Sequence, residues 1–169
     1  PCLVAVGGLS GTGKSTLAAA LAPDVGVAPG AVHLRSDIER KRLFGVAETD
    51  RLPAATYTPE TSVRIYAELE RKAGLALSAG QAVVVDAVSA RADERSALAE
   101  VARRCGVPFR GLWLEAPVAT LERRVSERRG DASDADAAVI RQQLGYELGA
   151  IDWTRIDAWL LSTSPSPRD

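Results

Sequence analysis

The sequence predicts an α/β sandwich, a parallel sheet covered by helices on both faces. Three observations predict it. The apolar run Leu3-Val4-Ala5-Val6 is followed by a glycine-rich turn and then by helix formers. Strand-like and helix-like segments alternate through the rest of the chain. Val83-Val84-Val85 is an unbroken apolar run, the pattern of a strand buried on both faces of its sheet.

Residues 3–6 read as the first strand and residues 15–21, Ser-Thr-Leu-Ala-Ala-Ala-Leu, as the first helix. Turn chemistry follows, and residues 31–35 form a second strand candidate. Ser36-Asp37-Ile38-Glu39 fits a capping box opening a basic helix that runs to about Phe44. Residues 45–57 show no period and read as a loop. Thr58 caps a third helix with Pro59 at its first position; Val63, Tyr66, Leu69, Ala73 and Leu77 form its apolar stripe, and Gly80 closes it. The third strand spans 82–86. A helix over 92–105 stops at Gly106 and Pro108, and a fourth strand spans 109–114. Pro117 opens a helix to Arg129, striped by Val118, Leu121 and Val125. Ser133 caps a last helix over 134–148, residues 158–162 form the fifth strand, and Ser164-Pro165-Ser166-Pro167 reads as a loose tail. One domain over 1–163, with a flexible tail over 164–169, is expected.

A chain of 169 residues can bury a sizeable core without disulfides or metals. Hydrophobic content of 46% and charged content of 25% are those of an ordinary globular protein. A net charge of −1 exerts no global pull on nucleic acid or anionic lipid. Cys2 and Cys105 match no metal-ligand spacing and read as reduced thiols of a cytoplasmic protein. No stretch has the length and apolarity of a membrane span or the pattern of a signal segment. The chain opens at Pro1 and contains no Met, so it is expected to be trimmed, or cut from a longer protein. The three tryptophans, Trp113, Trp153 and Trp159, and the one histidine, His33, read as packing residues.

The most specific signal is Gly8-Leu9-Ser10-Gly11-Thr12-Gly13-Lys14-Ser15, a complete G-x-x-x-x-G-K-[ST] phosphate-binding loop. Glycines at 8, 11 and 13 let the backbone turn and aim its N–H groups, including those of Ser10, Thr12 and Thr16, at phosphate oxygens. Lys14 adds a charge for the β- and γ-phosphates, and Ser15 offers a hydroxyl to Mg²⁺. Strand, loop and helix follow in order, so the helix N-terminus faces the anion. Asp86, at the end of a valine strand, has the pattern of an acid that helps hold Mg²⁺ directly or through water; its alternative is a turn residue.

Asp37 follows the second strand, with Arg40 on the same helical face. It is placed to accept a proton from a substrate hydroxyl, with Arg40 holding the substrate or the moving phosphoryl group. The competing role for Asp37 is a first-turn acid that complements the helix dipole. Arg124 and Arg128 sit along the edge of an apolar stripe, where paired N–H groups suit phosphate; their alternative is a solvated face paired with Glu122 and Glu127.

These residues resemble the P-loop kinase superfamily, and within it the small kinases grouped with polynucleotide kinase, zeta toxin and chloramphenicol phosphotransferase. The resemblance runs through residues 7–16, 36–42, 83–87 and 128–135. It implies a five-stranded parallel sheet in the order 2-3-1-4-5 and use of ATP and Mg²⁺. It also implies Asp37 as the acid that activates the acceptor, a mobile lid carrying Arg124 and Arg128, and a loop at Thr163-Ser164-Pro165 bordering the adenine. Some relatives are fused to an aminoglycoside-phosphotransferase-like domain, so a fused domain is expected here. The function expected is transfer of the γ-phosphoryl group to a hydroxyl of a small molecule, since the charge balance and the lack of an aromatic-basic platform disfavour nucleic acid. A polynucleotide 5′-hydroxyl kinase, and a nucleotide-binding module that regulates a fused partner, remain open.

Overall fold

The computed structural model describes residues 1–127 and 130–158. Five strands, β1 (Leu3–Gly8), β2 (Val32–Arg35), β3 (Val83–Asp86), β4 (Phe109–Glu115) and β5 (Thr154–Asp157), form one sheet in the order β2-β3-β1-β4-β5. Every pairing is parallel. The order and direction are those expected.

The alternation of a doubly covered sheet is visible residue by residue. Leu3 and Ala5 of β1, with Val83 and Val85 of β3, face a core built with Ile65, Leu69 and Leu98. Val4, Val6 and Val84 face the other side, against Ala18 and Ala22. Each fully buried aliphatic side chain of this kind contributes about 1.5–3 kcal/mol. The first core is covered by α3 (Pro59–Ser78) and α4 (Ala92–Arg104), the second by α1 (Lys14–Leu21). The remaining helices are α2 (Ser36–Leu43), α5 (Val118–Glu127) and α6 (Ala137–Leu144). Among the described residues no helix is long and apolar enough to cross a membrane.

Several local expectations need correction. Ser36 does not cap α2: the helix begins at Ser36, and Glu39 is buried with its carboxylate taken by Arg42 and Lys72. In α3 the Thr58 cap forms, its side chain accepting from the Thr61 N–H, but the buried stripe is Ile65, Leu69, Ala73 and Leu77. Val63 is 67% exposed and Ile65 is buried in its place, while Leu69, Ala73 and Leu77 are buried as expected and Tyr66 packs against the same core. Val118 of α5 is likewise exposed, while Leu121 and Val125 are buried. Helix α6 starts at Ala137 and not 134, capped by Asp136 and not Ser133; the Asp136 carboxylate accepts from the Ala138 and Val139 N–H groups. Among the described residues, which exclude 159–162, strand β5 spans Thr154–Asp157 and starts ahead of the expected 158–162. Gly111 explains why: Trp153 packs flat over it, where any Cβ would collide, and this contact brings the residues after Trp153 alongside β4. Residues 159–162, Trp159, Thr163-Ser164-Pro165 and the expected tail lie outside the described residues, as do Arg128 and Arg129.

Candidate active site

All five strands end at one edge of the sheet, and the central strand β1 delivers the glycine-rich loop there. Gly8 has φ 137°, and a Cβ on it would stand 2.5 Å from the Leu114 carbonyl oxygen. Gly13, at φ 93°, is the cap residue from which α1 starts. The loop closes on itself: the Leu9 carbonyl accepts from the Thr12 hydroxyl at 2.8 Å and from Lys14 Nζ at 3.1 Å. Two outside groups fix its ends. Buried Gln143 of α6 accepts from the Ser10 N–H at 2.8 Å through Oε1 and donates to the Ser10 hydroxyl at 3.0 Å through Nε2. Arg124 donates to the Gly11 and Thr12 carbonyls, both at 3.4 Å, and to the Ala158 carbonyl at 3.2 Å. In this arrangement Arg124 braces the underside of the loop, while Arg128 lies outside the described residues.

Asp86 ends β3 opposite Arg35 of β2 and Val6 of β1. It is 4% exposed. Burial alone would push its carboxyl up, but His33, with Nε2 at 3.8 Å, the Ser15 hydroxyl and the charges of Lys14 and Arg35 outweigh this and hold it below the usual range. An ionised carboxylate beside a serine hydroxyl is a hard oxygen pair that fits Mg²⁺, which takes a few protein oxygens and fills its other positions with phosphate and water. A richer cluster of acids, His or Cys is absent among the described residues and is not needed for such a site.

Arg35 stands directly at this pair. Its NH2 donates to Ser15 Oγ at 3.1 Å and to Asp131 Oδ1 at 2.8 Å, and its Nε lies 3.3 Å from Asp86 Oδ2. In the sequence Arg35 stands out only as a strand residue; its place at a strand's carboxyl end, the ligand-binding edge of such sheets, is the one signal of a site role. Gln143 was missed too. It falls three residues after Ile140 on the buried stripe of α6, and a glutamine there needs a polar partner.

Asp37, in the first turn of α2, and Arg40 one turn later line the same cleft as Ser10, Lys14, Ser15 and Asp86, a space of about 1190 Å³. Burial pushes the Asp37 carboxyl above its usual range; the nearby Lys14 charge works against this, the Asp86 charge adds to it, and a hydrogen bond from Ser133 opposes it. Arg40 lies over the Tyr57 ring at 4.6 Å and donates to the Thr56 carbonyl at 3.3 Å. Beneath them Lys41 is fully buried and pairs with both oxygens of Asp134, at 2.8 and 2.7 Å, and donates to the Asp50 carbonyl. Asp134 also accepts from the Tyr57 hydroxyl at 2.7 Å and from the Leu52 N–H at 3.0 Å. This network fastens α2, the 47–57 loop and the segment ahead of α6 to one another.

The fold and the loop together define a P-loop nucleoside-triphosphate-binding domain. Residues 3–147 match the family described as AAA domain, and the chain belongs to it. An uncharacterised protein of Mycobacterium tuberculosis H37Rv is 33% identical over 141 residues, 81% of this chain and 28% of that protein. The chain thus spans about 28% of the length of the curated relatives it matches. Among solved structures, a sugar kinase from Janibacter sp. HTCC2649 superposes with a TM-score of 0.65 at 22% identity, covering 94% of this chain and 86% of that one. A gluconokinase from Sinorhizobium meliloti 1021 gives 0.63 at 22%, covering 98% and 85%. The APS kinase of M. tuberculosis in complex with AMPPNP and APS gives 0.56 at 24%, covering 75% and 69%. At these identities the likeness establishes the small P-loop kinase-like fold.

Proposed function

We propose that this domain is an ATP- and Mg²⁺-dependent kinase that phosphorylates a hydroxyl of a small-molecule acceptor. The observation that carries the reading is that Asp37 shares one cleft with the loop, Lys14 and Asp86, and that its carboxyl is more basic than usual. Neighbours in fold that are named as sugar, gluconate and APS kinases support it.

In this reading Lys14 and the loop N–H groups neutralise the triphosphate, and Ser15 and Asp86 hold Mg²⁺. The ion, when bound, supplies charge neutralisation across the β- and γ-phosphate oxygens. Asp37 accepts the acceptor's hydroxyl proton as its oxygen bonds to the γ-phosphorus, and the bond to the β-phosphate oxygen breaks to release ADP. Arg40, held by Tyr57, orients the acceptor. Arg124 keeps the loop in shape, and Arg128 stays in the proposal as the lid arginine. The missing length relative to the relatives leaves room for a fused partner domain.

Lys14→Ala is expected to weaken ATP binding about 10- to 100-fold, the worth of a charge-assisted contact. Titration calorimetry checks this, and equal affinity in both proteins would sink the nucleotide assignment. Transfer itself is tested with γ-labelled ATP against sugars, nucleosides, aminoglycosides and oligonucleotides. Label on oligonucleotides alone would replace the small-molecule acceptor, and nucleotide binding without any transfer would replace the kinase by a regulatory module.

A further inference from the structure

We propose that Arg35 is a positioning residue for the metal site: an internal cation that holds Ser15 and Asp86 in place, clasps the segment 131–136 through Asp131, and yields its position when Mg²⁺ arrives with nucleotide. The inference rests on the nucleotide-binding reading above and goes beyond it, because it makes metal entry and release of that segment one event.

The geometry carries it. One guanidinium reaches the loop hydroxyl, the carboxylate at the end of β3 and a carboxylate on the connection from α5 to α6. Three elements far apart in sequence are thereby joined at a single side chain. Arg35 is in register with Asp86 across the β2–β3 pair, so the backbone fixes their proximity. Mg²⁺ binds oxygens at about 2.0–2.1 Å. An ion on Ser15 Oγ would therefore lie within roughly 5 Å of the Arg35 NH2 group, which is 3.1 Å from that oxygen. Two cations so close in a half-buried site repel. Arg35 donates to Ser15 Oγ and stands 3.3 Å from Asp86 Oδ2, so the ion and the guanidinium compete for the same place between them.

The fork matters as much as the charge. NH2 donates to Ser15 and Asp131 while Nε stands 3.3 Å from Asp86 Oδ2 without a hydrogen bond of its own, a spread of contacts that a lysine's single ammonium cannot reproduce. Asp131 is the partner on the connection from α5 to α6, and it lies 2.8 Å from NH2. When Arg35 leaves Ser15, the direct link from the metal site to that segment is lost.

The test uses the full chain, magnesium chloride and AMPPNP. In Arg35→Met the Mg²⁺ concentration that half-saturates AMPPNP binding should fall about tenfold, the scale of one lost charge-assisted competitor, with nucleotide affinity at saturating Mg²⁺ retained or raised. Arg35→Lys, which keeps the charge without the fork, should fall between the two. Without nucleotide, amide hydrogen exchange over 131–136 should quicken in both Arg35→Met and Asp131→Asn. Loss of affinity at saturating Mg²⁺ in Arg35→Met would overturn the proposal and make Arg35 a phosphate clamp. Unchanged exchange in both variants would overturn the clasp. If Arg35→Met does not fold, Arg35→Lys and Asp131→Asn decide by the same readouts. Failure of the wild type to bind AMPPNP at all, with normal exchange protection, would bring down the nucleotide reading and the metal coupling with it, while leaving the exchange result to judge the clasp.

Discussion

Asp37→Asn is expected to lower phosphoryl transfer about 10²–10⁴-fold while leaving ATP affinity nearly unchanged. Asparagine keeps the shape but cannot take the proton. The pH dependence gives an independent check. Burial holds the folded-state pKa of Asp37 above its ordinary value, so the acid limb of kcat/KM should lie above the ordinary carboxylate range and be absent from the residual activity of the variant.

Stability should move the other way. A carboxyl whose pKa is raised by folding costs stability once ionised: stability falls as pH rises from the unfolded value through the folded one. Asp37→Asn should therefore melt at or above the wild-type temperature at neutral pH, and the gain should fade as pH falls into the ordinary carboxylate range. Lost Tm with normal turnover would instead make Asp37 a helix-dipole residue and remove it from the chemistry.

The second large effect belongs to the Lys41–Asp134 pair. Asp134→Ala leaves the buried Lys41 charge without its carboxylate, and breaking such a pair costs about 3–5 kcal/mol. For a domain of this size Tm should drop by roughly 10 °C. The sign of the pH dependence is opposite to that of Asp37. Burial raises the Asp134 carboxyl, but the bonds from Lys41, Tyr57 and the Leu52 N–H outweigh it and hold it below its usual value. Its stabilisation is therefore complete at neutral pH and lost as pH falls through the folded value, so the wild type and Asp134→Ala should converge in acid. Replacing both partners by apolar residues, Lys41→Met with Asp134→Leu, should recover much of the loss. Thermal melts across pH distinguish this from a surface pair, whose removal would barely register.

The sheet was legible in the sequence because two signals coincide: apolar runs at β1 and β3, and a loop motif whose spacing admits one local geometry. Strand order came through resemblance, since nothing in a single sequence says which strand neighbours which. Thr58-Pro59 located α3 well, because a cap hydroxyl before proline acts through bonds within four residues. Where expectation failed, distant partners had won. Glu39 looked like a capping-box acid, but Lys72 on α3 claims it. Ser133 and Asp134 looked like a helix start, but Asp134 is drawn to Lys41 and the helix begins after it. Of the candidate site, the loop, Asp37, Arg40 and Asp86 could be picked out, because their chemistry follows short motifs at strand ends. Arg35, Asp131 and Gln143 act through contacts of sequence separation 20 to 133, which no local pattern encodes.

The two ends of the stretch from Asp131 to Gln143 are held by different kinds of force. At Gln143 a neutral amide, buried and satisfied by both faces of Ser10, neither titrates nor responds to dissolved ions. Toward the other end the holds are ionic and of two kinds: the Lys41–Asp134 pair is buried, while Arg35 with Asp131, at 18% and 27% side-chain exposure, and Arg51 with Asp136, at 72% and 52%, reach solvent. Rising ionic strength weakens exposed pairs of this kind and leaves the amide bonds untouched. Salt therefore loosens the rim of the cleft at Asp131 and Asp136, while Gln143 and the buried Lys41–Asp134 pair stay in place.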